Sequence, residues 1–275
     1  MNMRYRYLFF LFCFSLNAYI TDVVVIGKEQ KKIIFLYDYH VDDKNKSESQ
    51  DAVFRQLFDK VNKKYKKNAL IHLETTPGPH TQKEVATYIK NNKDERCATL
   101  IELQKALFAG EKHLYSFEIQ SFESRTKEDI EYSIHVPYRI AFGKDEQKNE
   151  LIKHVQSWMK SAICKTKRML KGPSYLQLFT KKNEKAVTKI FLRNLNEVQL
   201  PEKAQDVYKI SSVQVDITLL THLLTAHHQL QIVVGGRDHV SLVADILKKY
   251  KGWQHIYTQS GDDASLWGPS LIKII

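Results

Sequence analysis

The sequence predicts an α/β fold with a mainly parallel sheet, helices on both faces and a helical insertion in the middle of the chain. Two observations carry that expectation. Short β-branched runs alternate along the chain with longer stretches of helical periodicity, the pattern of βαβ units. The segment from about 128 to 200 is heavily charged and helical throughout, which suits a helical hairpin or cap laid over a sheet. There is no internal repeat and no low-complexity tract.

The elements follow in order. Residues 1–20 have the layout of a secretory signal: Arg4 and Arg6, then the apolar run Leu8–Leu16, then Asn17-Ala18. Cleavage is expected after Ala18; without it, the segment would act as a membrane anchor. The run is short of the roughly 20 residues needed to span a bilayer, and no other stretch approaches that length, so the mature chain is expected to have no membrane span. Residues 21–275 then form a single α/β domain. Val23–Gly27 and Ile33–Tyr37 are strands, either a hairpin or two successive strands. Residues 44–67 carry Val53, Leu57, Phe58 and Val61 at helical spacing. Ala69–Leu73 is a buried strand stopped by Thr75-Thr76-Pro77-Gly78-Pro79. Helices are expected near 81–91 and 94–109, and a strand at His113–Glu118. The charged middle is broken at Gly172-Pro173. A long helix over Asp206–Leu230, a strand at Gln231–Val234, a helix over His239–Tyr250 and a last strand at His255–Tyr257 complete the chain.

Composition bounds the function classes. The chain has 275 residues and a formal net charge of +11. Such a charge can attract nucleic acid, anionic lipid or anionic glycan. The lysines fall in short solvated runs such as 63–67, and no arginine-rich arm or zinc-finger spacing accompanies them, so nucleic acid is not the expected partner. Cys97 and Cys164 follow the leader's Cys13 without a CxxC motif, and whether they pair stays open. There is no P-loop, GxSxG elbow, HExxH or GxGxxG.

In an open α/β sheet, sites form at the carboxyl ends of the strands. Asp38, His40, Asp42 and Asp43 follow the Ile33–Tyr37 run; Glu74 follows Ala69–Leu73; Glu118, Glu123 and Arg125 follow His113–Phe117; Gly235-Gly236-Arg237-Asp238-His239 follows the Ile232–Val234 run. If those strands are neighbours, the groups converge. Asp38 and His40 share one face of a strand; such a pair can fix an imidazole tautomer or ligate a metal, or simply cap a surface. Glu74 could equally cap the turn that follows it. Gly235-Gly236 before a helix permits close backbone approach and anion binding. His239, near a helix N-terminus, would tend to be neutral, with Asp238 as a possible N-cap. His72 reads as a buried strand residue, His227-His228 as the cationic end of a helix, and Asp262-Asp263 as turn residues.

The ordered series Phe35-Leu36-Tyr37-Asp38-Tyr39-His40, Leu70-Ile71-His72-Leu73-Glu74, Leu192-Arg193-Asn194 and Val233-Val234-Gly235-Gly236-Arg237-Asp238-His239-Val240 resembles a known superfamily. It contains TraB-type proteins, the TIKI Wnt-cleaving proteases, ChaN-like haem-binding lipoproteins and erythromycin esterases. The family's first motif begins with Gly where this chain has Tyr37, and Asp38 stands in place of the motif's glutamate. The resemblance implies an exported hydrolase acting on peptide or ester substrates, with Asp38, His40, Glu74, Arg193 and His239 as the polar centre. In a metal-dependent form, His40, Glu74 and His239 would ligate a divalent manganese, cobalt or zinc ion. In a metal-free form, His40 would deprotonate water and Arg193 would stabilise developing negative charge. The shorter Asp38 also suits a second reading: a non-catalytic exported binding protein on the same fold, taking haem or an anionic ligand.

Overall fold

A computed structural model describes residues 18–40, 44–74, 115–126, 129, 132, 148–196, 204–261 and 264–275. The helices expected near 81–91 and 94–109, most of the leader, Cys97 and Asp262-Asp263 lie outside the described residues.

Strands β1 (Ala18–Lys28) and β2 (Lys31–His40) form an antiparallel hairpin closed by Glu29-Gln30. Glu29 adopts φ 57°, the left-handed conformation a two-residue hairpin turn demands. β1 begins within the segment read as leader, and Ile20 is already buried and bonded through its N–H to Gln50. Helix α1 (Lys44–Lys64) leads into β3 (Ala69–Leu73). The strand expected at 113–118 forms instead as β4 (Glu118–Ser121). Helices α2 (Lys148–Met169), α3 (Pro173–Leu176) and α4 (Lys181–Asn196) follow within the expected helical middle. The chain then runs through α5 (Ala204–Thr225), β5 (Leu230–Gly236), α6 (Arg237–Lys251), β6 (Gln254–Ser260) and α7 (Ala264–Ile274). The last helix, with Pro269 inside it, lies beyond the elements expected from the sequence.

The six strands form one sheet in the order β4-β3-β5-β2-β1-β6. It is mixed, not mainly parallel as the sequence suggested. β4, β3, β5 and β2 run parallel to one another, but β1 is antiparallel to both β2 and β6. The cause is local: a two-residue turn between β1 and β2 can only return the chain antiparallel. β5 enters between β2 and β3, which precede it in the chain, so a topological switch point opens beside it.

Both faces are covered. On one, Phe54, Leu57, Phe58 and Val61 of α1 and Trp267 and Leu271 of α7 pack on Ile34, Leu36, Ile71 and Ile232. On the other, α5 and α6 pack on Phe35, Tyr37 and Val233, with α2 and α4 stacked outside α5. α5 is apolar nearly all round because it is sandwiched between the sheet and these helices. Its threonines satisfy their hydroxyls internally: Thr218 and Thr221 donate to Gln214 O and Ile217 O. α6 ends at Gly252, whose φ of 72° supplies the left-handed cap. His72 is fully buried, bonded to Gln231 Oε1 at 2.9 Å, and burial pushes its pKa down to about 3. Among the described residues, no helix is long and apolar enough to cross a membrane.

Candidate functional site

The parallel half of the sheet brings four strand ends side by side. Each delivers groups that the sequence placed there: Glu123 and Arg125 after β4, Glu74 after β3, Gly235, Gly236 and His239 at the end of β5, and Asp38 near the end of β2.

Glu74 stands at the centre. Its Oε2 accepts the Gly236 N–H at 2.7 Å, and its Oε1 accepts Arg125 Nη2 at 3.2 Å. His239 Nε2 lies 3.8 Å from the same Oε1. On its far side, His239 Nδ1 meets Asp216 Oδ1 at 2.5 Å. Beyond Arg125, Glu123 accepts from Arg125 Nε at 2.9 Å and from the Arg125 backbone N–H at 2.7 Å. The result is a chain of alternating charge: Glu123, Arg125, Glu74, His239, Asp216. Side-chain exposure is 15% for Glu74, 8% for Arg125, 5% for Asp216, 3% for Glu123 and 2% for His239, so Glu74 is the member most open to solvent.

The two glycines make this approach possible. A Cβ on Gly235 would lie 2.7 Å from Phe122 Cζ and 3.0 Å from Glu74 Oε2; one on Gly236 would lie 3.3 Å from Glu74 Oε2. Gly235→Ala is therefore expected to displace the Glu74 carboxylate or the buried Phe122 ring and to destabilise the fold by about 1–3 kcal/mol, as overpacking does. A urea denaturation curve with an unchanged midpoint would refute that.

His239 departs from the expectation of a neutral imidazole. Burial disfavours the imidazolium, but the carboxylates of Asp216 and Glu74 outweigh burial and the repulsion of Arg125, and the pKa is pushed up to about 9. A helix N-terminus supplies only a partial charge; two carboxylates close at hand supply full ones. Burial raises the Asp216 carboxyl, and the adjacent imidazolium opposes that rise. Asp238 is not the cap: Gly236 occupies the N-cap position of α6, and Asp238 lies in the first turn.

Of the expected residues, Glu74 and His239 are brought together. Asp38 is buried at the rim, paired in register with Gly236. Strand alternation places it with Ile34 and Leu36, the α1 face, whereas Glu74 and His239 meet towards α5 and α6. The backbone of His40 ends β2, and its side chain lies outside the described residues. Arg193 is exposed in the last turn of α4, and the guanidinium in the cluster is that of Arg125. Two members carry weight that the sequence did not assign them. Arg125 was one of several charges after a strand. Asp216 is the lone charged residue in the stretch Val213–Leu220, and that isolation was the available signal.

No family model, curated protein or solved structure matches this chain.

Of the expected metal ligands, Glu74 and His239 are neighbours, while the side chain of His40 lies outside the described residues. Glu74 accepts hydrogen bonds at both oxygens, from Gly236 N–H and from Arg125, and its neighbour His239 has its pKa pushed up to about 9. A histidine ligates a metal through an unprotonated ring nitrogen, so a metal here would have to displace the His239 proton. Among the described residues, no group of three or more His, Cys, Asp or Glu side chains is arranged to hold a metal ion. What the cluster offers is proton chemistry: a carboxylate more exposed than the rest, backed by two cations that are themselves anchored by buried carboxylates.

Proposed function

We propose that this chain is an exported hydrolase of the TraB, TIKI, ChaN-like and erythromycin-esterase superfamily, acting on peptide or ester bonds without a metal ion. The order of its strand-end motifs supports the family, and residues 1–20 support export. The observation that carries the chemistry is the chain Asp216–His239–Glu74–Arg125 at the carboxyl ends of parallel strands beside a switch point.

In this reading, Glu74 takes a proton from an attacking water and returns it to the leaving group. His239 and Arg125 compensate the carboxylate's charge, and Asp216 orients the His239 ring through Nδ1. Arg125 takes the place that the motif series gave to Arg193.

The test is a panel of activated esters and mixed-sequence peptides with wild type, Glu74→Gln and His239→Gln, each with and without a chelator. Wild type is expected to hydrolyse members of the panel regardless of chelator. Both variants are expected to lose about 10²–10⁴-fold in rate, the range for a positioned acid–base group. Chelator-sensitive hydrolysis restored by manganese, cobalt or zinc would replace this reading with the metal-dependent one. Full activity in a folded Glu74→Gln variant would remove Glu74 from the chemistry. A well-folded wild type inert across the panel would turn the assignment to a non-catalytic binding protein.

A further inference from the structure

A second feature lies on α2, independent of the strand-end cluster. The residues at 160, 163, 164, 167, 168 and 171 fall on one stripe of that helix and the turn after it. They are Lys160, Ile163, Cys164, Lys167, Arg168 and Lys171, and together they line a concavity of about 480 Å³. All but the half-buried Ile163 are exposed. The opposite side of the helix is fixed in the core through Val155, Trp158, Met159 and Ala162, so the stripe is presented on a rigid support.

Two properties set the concavity apart from ordinary solvated lysines. The first is unbalanced charge. None of its four cations forms an ion pair among the described residues, whereas Lys165 on the same helix pairs with Asp129 at 2.9 Å and Lys248 pairs with Asp245 at 2.8 Å. Among the described residues, the Arg168 guanidinium donates to the Cys164 sulfur, at 3.7 Å. The helix C-terminus rationalises Lys167 and Arg168, but not Lys160, more than two turns earlier. The second property is the lining, which is predominantly apolar; Ile163, Cys164 and the lysine stems supply such surface. The volume falls in the range of small-molecule sites.

We infer that this concavity binds a long-chain carboxylate, its head beside the ammonium groups of Lys167 and Lys171 and its chain over Ile163 and Cys164 towards the stem of Lys160. A bare inorganic anion would leave the apolar floor uncovered. An uncharged chain would leave the cations unmatched.

Cys164, a free exposed thiol, reports occupancy. The experiment alkylates the full-length protein with iodoacetamide, a neutral reagent, and follows the Cys164 peptide by mass spectrometry. Laurate below its micelle-forming concentration is expected to slow alkylation saturably. At ten times its dissociation constant the slowing is about tenfold, by mass action. Dodecanol and inorganic phosphate are expected to protect far less. Lys160→Gln/Lys167→Gln/Lys171→Gln, all at exposed positions, is expected to raise the half-protecting laurate concentration by about tenfold while circular dichroism stays unchanged. The inference is overturned by an absence of saturable protection, by equal protection from dodecanol or phosphate, by a folded triple variant that protects like wild type, or by protection that appears only with anionic vesicles.

Discussion

His239→Ala is expected to lower the unfolding free energy by about 3–5 kcal/mol, the cost of breaking a buried ion pair from one side. The reason is what the substitution leaves behind. Asp216 is 5% exposed and its Oδ1 faces His239 Nδ1 at 2.5 Å; without the imidazolium its charge is buried opposite a void. Glu74 loses a neighbouring cation at the same time. Asp216→Ala should cost a similar amount by stranding His239. The double variant should be milder than the sum of the two by about 0.5–3 kcal/mol, since removing both charges removes the stranded one. Urea denaturation of the four proteins at neutral pH measures this cycle. Additive single effects, or a His239→Ala cost near 1 kcal/mol, would show that the pair is not the electrostatic hinge of the site.

The second large effect is alkaline destabilisation. The pKa of His239 rises in the fold from 6.5 to about 9 because the carboxylates of Asp216 and Glu74 outweigh burial. A group that binds its proton more tightly when folded stabilises the fold wherever the proton is present. That contribution is complete below pH 6.5, declines as the pH rises above it, and is gone once the pH has passed about 9. At about 1.4 kcal/mol per pKa unit, the loss across this window is roughly 3 kcal/mol. Unfolding free energies at intervals between pH 6 and 10 should trace the decline. Asp216→Asn, which keeps a hydrogen-bonding oxygen and removes the charge, should flatten it. A wild-type profile that is flat from pH 7 to 9, or a slope unchanged in Asp216→Asn, would mean that His239 is not held as an imidazolium.

These two expectations explain why the site was only half legible. Glu74 and the Gly235–His239 segment could be found because each directly follows an apolar run, and strand ends are where an α/β sheet exposes polar groups. Asp216 could not be placed in the site the same way. It is 23 residues from its partner and lies mid-helix, where a carboxylate has no positional meaning until the helix is packed. Arg125 bonds to Glu74 across 51 residues, and nothing local distinguishes it from Arg193. The protonation of His239 was misread for the same reason: the sequence shows the helix start beside it, while the stronger charges come from other elements.

What the sequence determined by itself is local: the strand and helix alternation, the buried character of β3, the glycine pair that permits close backbone approach, and the ionisable groups at the strand ends. Hydrophobic periodicity and turn chemistry act over a few residues, so they can be read without the fold. The tertiary structure alone decided the rest. It set the insertion of β5 between β2 and β3, the reversed β1 that makes the sheet mixed, the approach of Arg125 to Glu74, and the burial of Asp216 against His239. All of these depend on which distant segments share one low-dielectric space, where a neighbouring charge governs a proton more strongly than anything adjacent in the chain.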